Sequence, residues 1–167
     1  MVEGRRGEGN AVTMDLPFPP TPENAPRFAA LAVEAALNVD NVPLDYSPDS
    51  LRSLETVLDR EGAARKDAAA LLFGCYVGEV FVRAGRGRWR ATGETPMKDM
   101  ADVPLLVELA SGDYCNPLGR VRKYCESGAD ESLARGLAFL RERQAPHGEF
   151  AVRTWRAGQD PRAGTDD

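Results

Sequence analysis

From Ala68 to Val82 the chain carries Leu71, Leu72, Phe73, Cys75, Tyr76, Val77, Val80, Phe81 and Val82, with one carboxylate, Glu79, among them. At 3.6 residues per turn these side chains cover nearly every face of a helix, so the helix has to be enclosed. The run falls short of the roughly 20 apolar residues a membrane span needs, and it holds an acid, so it reads as a core helix. Gly74 and Gly78 stand four apart on one side of it. They weaken the helix, but without Cβ atoms they let a neighbouring backbone come close. Everything else in the sequence has to supply the enclosure.

A chain of 167 residues with 43% hydrophobic and 28% charged content can do so as one ordinary globular domain. Ahead of the apolar segment, Pro26 opens a helix to about Leu37 with Phe28, Leu31, Ala32, Ala35 and Ala36 on one stripe and few charges on the other. Ser47-Pro48-Asp49 is a second start signal: the serine caps, the proline loses nothing in a first turn, and the acid meets the positive helix end. Leu51, Leu54, Val57 and Leu58 then form its buried stripe, and Gly62 stops it. After Gly85 and Gly87 the period changes to two, with Arg88 to Thr92 as an edge strand. Val103 to Leu109 is the second strand, with Pro104 at its start or on an edge because it has no amide to donate. Asn116-Pro117 opens a helix with Leu118, Val121, Tyr124 and Cys125 inward, ended at Gly128. A last helix from Asp130 buries Leu133, Leu137 and Leu140, and Phe150 to Trp155 forms a third strand or a docked tail. The expected architecture is a single small α+β domain at 23–156. Its central apolar helix is packed with about four further helices around a two- to three-stranded antiparallel sheet. Residues 1–22 and 157–167, rich in glycine, proline and charge, read as flexible tails.

One ordered set of motifs runs through this domain: Leu44-x-Tyr46-Ser47-x-x-Ser50-Leu51, then Tyr76-Val77-Gly78-Glu79-Val80, then Trp89, then Asn116-Pro117-Leu118 leading into Val121. Over residues 44 to 140 it resembles a bacterial family of small α+β domains with a Gly-Glu helix, a following Trp strand and an Asn-Pro or Asp-Pro helix start. The resemblance implies a fold and brings no reaction, cofactor or ligand with it.

Glu79 is the first candidate for chemistry, because burying an unpaired carboxylate forces either a raised pKa or a partner. On a helix it shares a face with Leu72, Cys75, Tyr76 and Arg83, so a structural pair with Arg83, or with Arg88 or Arg90 on the next strand, is the plainer reading. The sharper one makes Glu79 a general acid or base in a small-molecule site with Tyr76, Arg83, Trp89 and Asn116. Asn116 also fits as a plain helix cap ahead of Pro117. Arg83, Arg86, Arg88 and Arg90 around Trp89 offer a third reading, nucleic-acid binding, which an acidic chain of net charge −5 argues against. Gly85-x-Gly87 lacks the third glycine of a dinucleotide loop, since Arg90 stands there.

No metal or cofactor is expected, because the one histidine, His147, sits in a polar stretch and three cysteines form no C-x-x-C pair. Cys75 belongs to the core; Cys115 and Cys125 are less determined. The charged first fifteen residues lack the apolar block of a secretory signal, so the expected setting is a reducing cytoplasm with no membrane. The leading expectation is a non-catalytic cytoplasmic interaction or regulatory domain. Glu55, Asp59, Glu61, Asp67, Asp99 and Asp102 would favour a basic protein partner. The sequence does not set an oligomeric state.

Overall fold

Phe28, Ala29, Ala32 and Ala36 turn one face of the first helix, α1 (Ala25–Asp40), into the core. Because that face is mostly alanine, α1 can lie close to its neighbour. It runs one turn past the stripe read from sequence and ends at Asn41, in the left-handed conformation at φ 55°. The Asn41 amide bonds the Leu37 carbonyl at 3.1 Å and the Val42 amide bonds Ala36 at 3.0 Å. The computed structural model describes residues 15–61 and 65–143. Within that span the segment leading into α1 is docked: Leu16 and Phe18 pack against the core. The Phe18 ring lies 4.5 Å from Phe28 and beneath the Arg27 guanidinium. Proline-rich chain has little entropy to lose on ordering, so two apolar anchors suffice from Leu16 onward.

In the second helix, α2 (Ser50–Glu61), Leu51, Leu54, Val57 and Leu58 are buried as their spacing demands. Ser47 Oγ accepts from the Ser50 amide at 3.2 Å, the capping role its position predicts. Gly62 lies outside the described residues.

The apolar segment forms α3 (Lys66–Gly85), longer at both ends than its apolar run. By length and composition alone its 20 residues could cross a bilayer, yet most of it is inside the fold. α1 and the helix at Pro117–Ser127 are its main neighbours, and α2, the helix at Leu133–Arg143 and the sheet complete the enclosure. The glycines explain the closeness. A Cβ on Gly74 would sit 2.7 Å from the Leu118 Cα, and one on Gly78 would sit 2.0 Å from the Trp89 ring.

Three short strands follow, β1 (Arg88–Ala91), β2 (Leu105–Glu108) and β3 (Tyr114–Cys115), antiparallel in that spatial order. Arg88 faces Glu108 and Trp89 faces Val107, which in turn faces Cys115. Pro104 stands just before β2, where its carbonyl accepts from the Thr92 amide at 3.0 Å. The third strand therefore comes from Tyr114–Cys115, folded back by a turn at Gly112, φ 89°. Phe150 to Trp155 lie outside the described residues.

Asn116 caps the next helix, α4 (Pro117–Ser127), its Oδ1 accepting from the Gly119 amide at 2.7 Å. Leu118, Val121 and Tyr124 are buried there, and Cys125 is half-buried. A 3-10 turn over Gly128–Glu131 precedes α5 (Leu133–Arg143), so the last helix begins after Asp130. Leu133 and Leu137 are buried, and the Leu140 side chain is not among those described. The start of α5 is fixed from α2. Glu55 Oε1 accepts from Ser132 Oγ at 2.8 Å and from the amides of Leu133 and Ala134 at 2.6 and 3.2 Å. A carboxylate there meets the positive helix end and satisfies amides with no partner inside the helix. The whole is one small α+β domain built on a central helix.

Candidate functional site

Alternation along β1 decides how Glu79 is treated. Arg88 and Arg90 point to one face of the strand, and Trp89 points to the other, onto α3. The Trp89 ring lies across Gly78, where only a residue without Cβ leaves room, and its Nε1 donates to Glu79 Oε1 at 2.8 Å. Arg83, one turn further along α3, brings its Nε to 3.7 Å from Glu79 Oε2. With a side chain 10% exposed, Glu79 thus has one oxygen on a buried indole and the other on an arginine that is itself 55% exposed.

The arginine is held from a second side. Its guanidinium lies 3.8 Å from the centre of the Tyr46 ring, and Tyr46 stacks on Tyr76 at 4.9 Å with 28° between the planes. Tyr46 adopts φ 61°, a left-handed conformation that side chains with a Cβ rarely take. What stabilises it is visible on its own amide, which donates to the Tyr76 hydroxyl at 2.9 Å. Ser50 Oγ gives its single hydrogen to the Ser47 carbonyl, so in the 2.5 Å contact between the two hydroxyls Tyr76 is the donor. The result is a directed chain from the Tyr46 amide through Tyr76 and Ser50 to Ser47. Burial pushes the hydroxyl pKa values of Tyr46 and Tyr76 up, so both stay protonated near neutrality.

Four of the five candidate residues, Tyr76, Glu79, Arg83 and Trp89, therefore belong to one connected cluster. Asn116 does not join them, since its side-chain oxygen is committed to the α4 amide. Neither the Tyr76 hydroxyl nor Asn116 bonds Glu79, so the acid-base arrangement imagined from sequence is not assembled. Arg88 and Arg90 are not partners of Glu79 either; both bond Glu108 Oε2, at 2.9 and 2.7 Å. Those two bonds hold the Glu108 carboxyl below its ordinary range. With Trp89 turned inward and two arginines sharing one acid, the Arg83 to Arg90 segment offers no stacking platform for bases.

Two residues central to this cluster, Tyr46 and Ser50, carry no local sign of their role. Their partner, Tyr76, lies 30 and 26 residues away. Elsewhere, burial pushes the Cys75 thiol up to about 12 and the Cys115 thiol up to about 11, so neither is a nucleophile. Among the described residues no group of three or more His, Cys, Asp or Glu could hold a metal ion.

No protein-family model, curated protein or solved structure matches this chain. The resemblance drawn from the ordered motifs accordingly rests on the sequence alone, and function has to be argued from the geometry.

Proposed function

We propose that this chain is a non-catalytic, cytoplasmic interaction or regulatory domain whose partner is a protein. The observation that carries the reading is the engagement of Glu79, the one buried acid of the central helix, by Trp89 and Arg83. A general acid or base needs an oxygen within reach of a reacting proton, and here both oxygens face groups of the protein itself. Three of the expected acids have partners within the fold: Glu55 at the start of α5, and the exposed Asp59 and Asp67 on the Tyr124 hydroxyl and on Arg122. Asp99, Met100 and Asp102 lie together in one exposed stretch, with Met100 55% exposed. An exposed methionine between two acids suits a partner segment that is basic and partly apolar. The free, buried thiols of Cys75 and Cys115 fit a reducing compartment.

The test is capture from a lysate of the source organism at low salt, with the wild-type chain, a D99N/M100S/D102N variant and a charge-matched unrelated domain as baits. A protein retained by the wild type and lost by the variant supports the reading. Recovery of nothing beyond the charge-matched bait counts against it.

A further inference from the structure

We propose that the Arg83 guanidinium, laid on Tyr46 and anchored by Glu79, is a recognition site for a single carboxylate group. The inference is independent of the interaction reading, since a carboxylate can belong to a small molecule or to a peptide terminus.

The argument starts from how little freedom this exposed arginine keeps. One face of its guanidinium plane rests on the Tyr46 ring at 3.8 Å, and its Nε edge is turned to Glu79 Oε2 at 3.7 Å. Tyr46 is itself fixed, by its stack on Tyr76 and by the hydrogen bond that holds its left-handed backbone. Backbone strain at a bulky residue persists only where surrounding contacts over-determine it, and here the consequence of the strain is a ring placed under a guanidinium. Among the described residues the Nη1 and Nη2 groups of Arg83 make no hydrogen bond, and neither does the Tyr46 hydroxyl. The site therefore presents the paired-donor edge of an immobilised guanidinium beside a protonated phenol. Two parallel N–H groups match the two oxygens of a carboxylate, and immobilisation removes the rotamer entropy an exposed arginine normally loses on binding.

Local charge selects the kind of anion. Glu79 neutralises much of Arg83, Asp45 stands beside Tyr46, and Arg83 sits in the last turn of α3, at the negative end of its dipole. A doubly charged phosphate would face all three, whereas a singly charged planar group faces half the repulsion and fits the donor edge.

The experiment uses the full 15N-labelled chain and follows the Arg83 Nε–H signal and the Tyr46 amide. Acetate, a short peptide with a free C-terminus, the same peptide amidated, and inorganic phosphate are titrated at constant ionic strength set with chloride. The expected result is a saturable shift of both signals with acetate and with the free-acid peptide, absent with the amide and about tenfold weaker with phosphate. A tighter response to the free-acid peptide than to acetate assigns the site to chain termini, and an equal one to small carboxylates. R83Q is expected to abolish saturation, and Y46F, which keeps the ring and the stack, to weaken it severalfold. No saturation with either carboxylate, a response equal to that of chloride, tighter binding of phosphate, or an unchanged response in folded R83Q would each overturn the proposal.

Discussion

If Glu79 is a structural acid, its replacements have to rank by what they do to Trp89 rather than by what they do to Arg83. Glu79→Ala removes the acceptor 2.8 Å from a buried indole N–H. An orphaned buried donor costs about 1–3 kcal/mol, and the space left by the missing side chain adds about 1 kcal/mol. Glu79→Gln keeps an oxygen in the same place and loses only the charge in that bond and an ion pair at 3.7 Å to an arginine that is 55% exposed. A screened pair of that kind contributes little, so the glutamine variant should lose about 1 kcal/mol and the alanine variant about 3 kcal/mol. At about 2–4 °C per kcal/mol for a chain of this size, the melting temperatures should fall by about 3 °C and about 9 °C. Urea unfolding followed by tryptophan fluorescence, in a W155F background so that Trp89 is the only reporter, measures both values. Equal losses in the two variants, or an alanine variant within about 0.5 kcal/mol of the parent, would mean that the indole bond does not hold this helix. A W89F chain supplies the complementary leg. In that background Glu79→Gln should cost less than in the parent, because the shared bond is already gone.

Four further outcomes follow from the same geometry. Gly78→Ala gains helix propensity but drives a Cβ to 2.0 Å from the Trp89 ring, so it should destabilise the fold by about 3 kcal/mol in thermal unfolding. Glu55→Ala removes the acceptor of the Ser132, Leu133 and Ala134 donors. Loss of a charged cap worth about 2 kcal/mol should speed amide exchange in residues 133–138 by about thirtyfold, with α3 unchanged. In alkali the thiols set the sign: an unfolded chain ionises Cys75 and Cys115 near 9.0, while burial holds them up to about 12 and about 11 in the fold. The unfolded state then binds fewer protons, so stability should fall as pH rises from about 9 towards 11, and urea midpoints measured across that window read the slope. Over the same range native protein should show at most one fast equivalent of thiol reactivity, from the half-buried Cys125.

What the sequence makes legible is what a few neighbouring residues decide. The Ser47 and Asn116 caps, the four-residue stripe of α2 and the Gly74–Gly78 pair are complete within one or two turns, and each stands in the structure as its local physics requires. Positions set by distant partners are different. Tyr114–Cys115 is too short to show alternation and becomes a strand only because Gly112 returns the chain beside β2. The partners of Glu55 are 77 to 79 residues away, and no spacing rule connects them. Of the candidate site, Tyr76, Glu79 and Arg83 could be grouped by helical spacing, and Trp89 by its place after the helix. Tyr46, which completes the cluster, enters through a loop whose left-handed turn has no glycine to announce it.

Charge is where a linear reading misleads most, because it counts residues that the fold then pairs. Arg88, Trp89 and Arg90 look like one basic, aromatic patch along the chain, but a strand sends the tryptophan inward and both arginines onto Glu108. Glu55, Asp59 and Asp67 look like an acidic face, but each is turned to a donor on α4 or α5. Those bonds fix where the three carboxylates point but leave their charge in place, because Glu55 and Asp59 bond uncharged donors and Arg122 is already counted in the net −5. If a basic partner docks at Asp99 and Asp102 as proposed, neutralising those two residues should slow its association and weaken the salt dependence more than neutralising Asp59 and Asp67 does. If instead neutralising Asp59 and Asp67 flattened the salt dependence while the fold stayed intact, the partner would have to dock on the face those two acids share with α4, and the assignment to Asp99 and Asp102 would fall.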